Sequence, residues 1–443
     1  MENFLNFNKL TAGAPYQTER KLIWLYLWLL IFEGALRKWF LPGLATPLLL
    51  VRDPIVIYLV WSGMQRGWIK AGYAKTMMVV STISLLLSLL VGHRDLFVGL
   101  FGWRIYFFHF PFVYIMGKVL TRDDLLKMAR FILYVSIPMT LLVVAQFYSP
   151  QSAWVNRGVG GDMGGAGFGG AMGYFRPPGT FSFTSGFVGF QAVVGCLMLY
   201  YLTANKMLDK KDKLPQWALI SIAGCYLVTI PTSISRTHFF QTLVFLAFLF
   251  IAAMRSSKMK KQYMRFLVMG AIAVIIVLVS GVANTQVEAF TSRFESANEV
   301  EGGAKGVIGD RYGGSFIRGV FNFDLPVFGY GIGLGTNVGS KLMGGNMYAF
   351  GFNGEEEWGR VTGECGLLLG WIILGVRLFF SLDIWKRAQR VLVKNRDLLP
   401  WMLSAGVLLR IVNGQWAIPT DLGIAIFMGG MALAALRTSS KYA

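Results

Sequence analysis

The sequence predicts an all-α, polytopic membrane protein. Hydrophobic residues make up 55% of the 443 positions, charged residues only 15%, and the mean hydropathy is +0.53. Soluble domains run about 45–50% apolar and about 25% charged. Several apolar runs also exceed about 18 residues, enough to cross a hydrocarbon core of about 30 Å. Finally, the basic residues gather in every second connection between those runs.

Taken in order, the runs predict about twelve spans: 22–40, 44–63, 74–92, 97–117, 128–148, 184–204, 216–232, 239–256, 264–283, 364–384, 399–415 and 420–437. The opening "MENFLNFNKLTAGAPYQTERK" is polar and has no small-residue cleavage site before its apolar run. The first helix is therefore expected to be retained. No periodic repeat and no inverted symmetry relate the halves.

The short loops fix an expected orientation. "QRGWIKAGYAK", "KVLTRDDLLKMAR", "NKMLDKKDKLPQ", "RSSKMKKQYMR" and "KRAQRVLVKNR" are basic and fall on one side, together with both termini. The positive-inside rule makes that side the cytoplasm. The net charge of +19 is then anchoring against anionic membrane lipid, and nucleic acid is not an expected partner.

Two longer segments fall on the outer side. Residues 149–183 contain "GVGGDMGGAGFGGAMGYFRPPGTF", and 284–363 form one loop. The chain thus divides into spans one to nine with the Gly-rich loop (1–283), the large outer loop (284–363), and spans ten to twelve (364–443). Long loops of this kind tend to carry function. "GGDMGGAGFGG" reads as compositional and mobile.

Arginines on the outer face run against the positive-inside bias, so each needs a reason. They include Arg176 in "YFRPPGTF", Arg236 in "PTSISRTHFF", Arg293, Arg311 and Arg318 in the large loop, and Arg360 in "EEEWGR". Singly they read as interfacial anchors. Together they suggest capture of a phosphate or pyrophosphate, because the planar guanidinium grips two oxygens at once. "GYGIGLG" (329–335) lacks both a βαβ setting and GK[ST], so it reads as turns with close backbone approach.

Nine carboxylates share the large loop with six basic residues. Most read as a solvated face. Glu355, Glu356 and Glu357 differ, because they directly precede the tenth span, where partial desolvation would make a carboxylate more basic. Such a group is fit to take a proton from a sugar hydroxyl. Glu364 reads as structural, His109 and His238 as packing residues, and Glu33 with Arg37 and Lys38 as an internal ion pair. Cys196, Cys225 and Cys365 lack CxxC spacing and read as buried thiols, and no zinc motif is present.

"YFRPPGTFSFTSGFVGF", "SISRTHFFQTLVFLAFL", "GDRYGGSFIRGVFNFDLPVFGYGIGLGT" and "EEEWGRVTGECGLLLGW" occur in that order over about residues 170–375. This series resembles the O-antigen ligase and polymerase superfamily of bacterial membrane glycosyltransferases. "FEGALRKWFLPG" and "LLLVRDP" are similar to its exopolysaccharide-polymerase members. The resemblance implies a GT-C-like fold in the bacterial inner membrane with its active site on the extracytoplasmic side. It also implies an undecaprenyl pyrophosphate-linked oligosaccharide donor, no cofactor and no metal. A chain-length regulator would be a further partner.

By the same resemblance Arg176, Arg236, Arg311, Arg318 and Arg360 would hold the pyrophosphate. The ligase branch places a histidine before the following span, but no histidine occurs in 284–363. Glu355, Glu356 and Glu357 stand roughly there, with Glu356 the expected general base. That departure favours a repeat-unit polymerase over a ligase. A flippase for the same lipid-linked sugar is the alternative from another class, disfavoured by the missing symmetry and the scarcity of charge within the spans.

The topology is directly testable. With Gly165→Cys or Gly345→Cys, an impermeant thiol reagent added outside should label the protein. With Lys210→Cys or Lys260→Cys it should not, and labelling of those two would reverse the orientation.

Overall fold

The computed structural model describes residues 16–69, 72–255, 284–301, 319–321, 325–343 and 356–439, with isolated positions at 261, 263, 264, 268 and 281. It is a helical bundle with one two-stranded hairpin. Helix α1 (Gln17–Ala35) runs into a π-helical turn, Leu36–Phe40. Short α2 (Ala45–Leu48) leads to α3 (Asp53–Gln65), α4 (Gly72–Leu90) and α5 (Leu96–Arg104). A second π-helical turn, Ile105–His109, joins α5 to α6 (Phe110–Val119), and α7 (Arg122–Tyr148) follows.

Strands β1 (Phe168–Ala171) and β2 (Tyr174–Arg176) pair antiparallel, with Phe168 opposite Arg176. Then come α8 (Thr184–Ala204), α9 (Gln216–Thr232), α10 (Arg236–Ala253), α11 (Asn284–Glu301) and short α12 (Asn337–Leu342). Helices α13 (Glu357–Asn395), α14 (Leu398–Asn413) and α15 (Pro419–Thr438) close the chain.

Eight stretches among the described residues are long and apolar enough to cross a membrane: 42–65, 72–90, 96–119, 122–148, 184–207, 236–253, 357–395 and 419–438. Helices α9 and α14 are apolar but shorter. The expected first span is α1 with its π-helical turn, and it is not among the eight. The expected ninth, 264–283, lies mostly outside the described residues.

Burial separates centre from rim. In α8 and α15, 94% and 89% of the most apolar window is buried, against 22% for 42–65 and 33% for α10. The central helices approach closely through small residues, as in bundles that pack without a hydrophobic drive between helices. A Cβ on Gly430 of α15 would lie 2.3 Å from Met116 Cε on α6.

Helix starts follow local chemistry. Thr121 and Asp124 form a reciprocal capping box on α7. Asp95, Ser235 and Asp397 accept first-turn amides of α5, α10 and α14.

The basic loops meet at one end of the bundle. There Arg122 grips Asp397 with both Nη atoms at 2.9 and 3.0 Å, Arg66 meets Glu19 at 2.7 Å, Arg130 meets Asp212 at 3.2 Å and Arg20 meets Asp124 at 3.4 Å. Residues that the sequence assigns to separate loops of one side are thus physically together.

Helix α13 is broken. Gly366 has φ 75° and ψ 168°, which frees the carbonyls of the preceding turn. The "GYGIGLG" loop takes them: Tyr330 N–H donates to Gly363 O at 2.8 Å and Gly331 N–H to Glu364 O at 2.9 Å. Gly329, Gly331 and Gly333 all have positive φ, in keeping with turns and close approach. A Cβ on Gly366 would stand 2.1 Å from Val327 O.

Gly366→Ala therefore meets both a forbidden φ and a backbone clash. Backbone strain of this kind costs about 1–3 kcal/mol. The thermal midpoint of the detergent-purified protein should fall accordingly, and an unchanged midpoint would mean that the break is not held by this loop.

Candidate functional site

The opposite end of the bundle carries several groups of buried charge. The first lies where the π-helical turn of α1 turns Arg37 and Lys38 inward. Glu33 faces Arg37 at 3.4 Å and Arg52 at 2.9 Å, so the internal ion pair expected there is present. Lys38 donates to Gly179 O at 2.7 Å and Phe181 O at 2.9 Å. Beside Arg52, Asp53 accepts from Arg104 at 2.7 and 2.8 Å and contacts His109 Nε2 at 3.0 Å.

The second π-helical turn also carries Tyr106, whose hydroxyl accepts from Arg360 at 3.1 Å. Arg360 is fully buried. It forks onto both oxygens of Glu357 at 2.9 and 3.0 Å and reaches Glu364 at 2.8 Å. Arg377, one half of α13 further on, donates to the same Glu357, to Ile411 O at 2.7 Å and to Gly414 O at 2.8 Å, and lies 4.0 Å over Trp416. Gly335 N–H donates to Glu364 Oε1 at 2.7 Å, which ties the outer loop to the cluster.

A further group involves α14. Arg410 donates to Gln241 Oε1 at 2.7 Å and to Val188 O at 3.0 Å, and Gln241 contacts His238 at 3.0 Å. His238 and His109 are both buried and hydrogen-bonded, as packing histidines.

These positions correct two expectations. Glu357 is not a rim carboxylate before a helix; it is the first residue of α13, 4% exposed, and both its oxygens are taken by arginines. Arg360 faces inward to the same cluster rather than outward to a ligand. The physical reason is that the helix starts at residue 357, several residues before the expected span, because its polar first turn is neutralised internally. Glu364 joins the ion cluster, in its expected structural role. Glu356 is the half-buried residue that precedes the helix. Glu355, Arg311 and Arg318 lie outside the described residues.

Arg176 and Arg236 remain at the rim, and the fold brings their elements together. Ile234 is buried with Phe147 of α7 and Ala289 of α11, and Ala171 and Tyr174 of the hairpin pack against them. Tyr174 stacks on Phe147 with centroids 4.7 Å apart. Arg176 ends β2 with its guanidinium 4.6 Å over Phe168, and Arg236 opens α10 two residues after Ile234. Arg293 lies one turn on from Ala289.

The Gly-rich loop that carries Arg176 folds, contrary to the mobile segment expected. Asn156 donates to the carbonyls of Gln146, Ser149 and Pro150, and Gln146 accepts from Gly179 N–H and donates to Gly179 O. These side chains satisfy the backbone groups that glycine turns leave open.

The sequence did not point to Arg52, Asp53, Arg104, Arg377 or Arg410 as members of buried polar groups. Their only signal was a lone charge within an apolar run. Cys196 and Cys365 are buried free thiols and Cys225 is half-buried. Among the described residues no group of three His, Cys, Asp or Glu side chains is placed to hold a metal ion.

No protein-family model and no curated protein matches this chain. The likeness to the O-antigen ligase and polymerase superfamily therefore rests on the order of its motifs.

Removing one partner of a buried pair costs about 3–5 kcal/mol, because the other charge is left uncompensated. Glu357→Leu and Arg377→Met should each lower the unfolding midpoint in detergent. The double variant should be less unstable than the two losses added, as coupled neighbours are. Simple additivity would show that the two side chains do not act as a pair.

Proposed function

We propose that this chain is a metal-independent, inverting membrane glycosyltransferase: a repeat-unit polymerase of the bacterial inner membrane acting at its extracytoplasmic face. The donor is glycan on undecaprenyl pyrophosphate, and the acceptor is a hydroxyl of the growing polysaccharide. One observation carries the reading. The two arginines singled out by the motif series, Arg176 and Arg236, sit on a hairpin and a turn that share one apolar cluster.

The turn supports it further. Ile234 has φ 46°, a costly conformation for a β-branched residue. Strain of this kind collects at functional sites, where the surroundings hold a side chain in one direction. Arg236 follows two residues later, at the start of α10.

In the proposed reaction the acceptor oxygen attacks the anomeric carbon from the face opposite the pyrophosphate. The bond from that carbon to the pyrophosphate oxygen breaks, and its electron pair leaves on the pyrophosphate. Fixed guanidiniums aimed at that developing charge supply transition-state stabilisation, about 2.7–4 kcal/mol per lost donor in comparable sites. The acceptor's proton passes to a carboxylate. Glu357 is committed to Arg360 and Arg377, so within the acidic triplet that role falls to Glu355 or Glu356.

A flippase for the same lipid-linked sugar is the second reading. The break in α13 favours it, since discontinuous helices line ion and substrate sites in transporters. Against it, the carbonyls of Gly363 and Glu364 at the break are bonded by loop amides. A ligase would use the same donor with a different acceptor.

Purified protein in detergent, given undecaprenyl pyrophosphate-linked oligosaccharide from cells lacking this chain, should lengthen it. A flippase would leave the length unchanged, and a ligase would move it to another acceptor without elongation. Arg236→Lys should lose about 100-fold in elongation, since a point charge cannot reproduce the fork. A near-normal rate at equal expression would reduce Arg236 to an interfacial anchor.

A further inference from the structure

We infer that Asp421, in the first turn of α15, is the carboxylate that takes the acceptor's proton. The inference rests on the transferase reading and moves the general base from the acidic triplet to the bundle's central helix.

The first ground is its isolation. The other buried carboxylates, Glu19, Asp124 and Asp212 at the basic end and Glu33, Asp53, Glu357 and Glu364 at the charged layer, each have an arginine within 4 Å. Asp421 is 4% exposed and has no such partner among the described residues. Its Oδ1 is buried outside hydrogen-bond geometry, and the polar group beside the carboxylate is the Ser185 hydroxyl. A buried ionised carboxylate is costly unless paired. The helix dipole favours an acid here only weakly. Neither packing nor capping accounts for a lone acid at this depth, whereas an open oxygen suits a proton acceptor.

The second ground is its surroundings. From α14 the field of Arg410 reaches Asp421, from α13 that of Glu357, and from α8 Ser185 stands beside it. From α3, Arg52 donates to Pro419 O at the mouth of the same helix at 2.9 Å. Arg410 connects through Gln241 and His238 to the start of α10, where Arg236 lies. Asp421 thus belongs to the end of the bundle that holds the proposed pyrophosphate clamp. Gln191 of α8 is fully buried with neither amide atom bonded, a second polar group left open in the central helices.

The third ground is access. Thr420 and Ser185 are half-buried, so the carboxylate lies beneath side chains that are themselves partly exposed. As the acceptor oxygen bonds to the anomeric carbon, its proton moves to Asp421 and the pyrophosphate leaves with the electron pair of the broken bond. Proton transfer to a positioned base is worth about 10²–10⁴-fold in rate.

The test uses the full chain in detergent with undecaprenyl pyrophosphate-linked oligosaccharide from cells lacking it. Asp421→Asn, which keeps the shape, should elongate at least about 100-fold more slowly while binding donor normally. Asp421→Glu should keep part of the rate, and the fall of the wild-type rate toward acid pH should vanish from the residual activity of Asp421→Asn. An Asn variant that matches wild type overturns the inference. Should that variant not fold, wild-type protein treated with an apolar carbodiimide decides. Adduct at Asp421 with parallel loss of elongation supports the assignment; full activity with Asp421 modified, or no modification there, overturns it. Wild type that never elongates the donor refutes the transferase reading itself, which separates the two failures.

Discussion

A guanidinium enclosed in an apolar bundle has to find its acceptors within the protein, and Arg377 shows what that demand imposes. Its three nitrogens reach Glu357, Ile411 O and Gly414 O, while its face rests on Trp416. One side chain thereby joins the start of α13, the end of α14 and the turn into α15. Glu357, in accepting from Arg377, also accepts from Arg360, which brings in Glu364, Tyr106 and the loop at Gly335. Breaking one member of such a set would leave its partner's charge buried and uncompensated. The outer loop, the broken helix and the second π-helical turn take their positions from that set.

Helix existence was plain in the sequence, since long apolar runs allow little else, and the basic loops with described ion pairs do gather at one end. The charged layer was not plain. Its partners are far apart in the chain, as Arg52 is from Pro419 O, and each charge read alone looks like a stray in an apolar run. Glu357 was misplaced for a related reason. Hydropathy marks where a helix becomes apolar, whereas α13 begins at Glu357, in a polar turn neutralised by arginines further along the same helix. "GYGIGLG" was legible because glycine spacing speaks directly of backbone shape, and three of its glycines do have positive φ.

Two kinds of arginine emerge from this arrangement. Arg52, Arg360 and Arg377 are sealed in and hold helices together; Arg176 ends β2 and Arg236 opens the long helix α10, both half-buried, where the hairpin, α7, α11 and the turn before α10 share apolar contacts. The motif series mixed the two classes, because Arg360 and Arg236 look alike in a string of letters. Burial separates them: the first group is enclosed among helices, the second is half-buried.

The two π-helical turns have a bearing on how this gene can vary. Each turn inserts one residue into a helix, and each residue of an α-helix advances the face by about 100°. Removing one codon from 36–40 would return the turn to α geometry while rotating Arg37 and Lys38 away from Glu33, Gly179 and Phe181. The same loss in 105–109 would turn Tyr106 from Arg360 and His109 from Asp53. In-frame insertions and deletions are therefore barred from both turns, whereas exposed connections such as 206–211 can drift in length. Across descendants of this sequence, the spacing from Glu33 to Arg52 and from Arg104 to His109 should stay constant even after most side chains have changed.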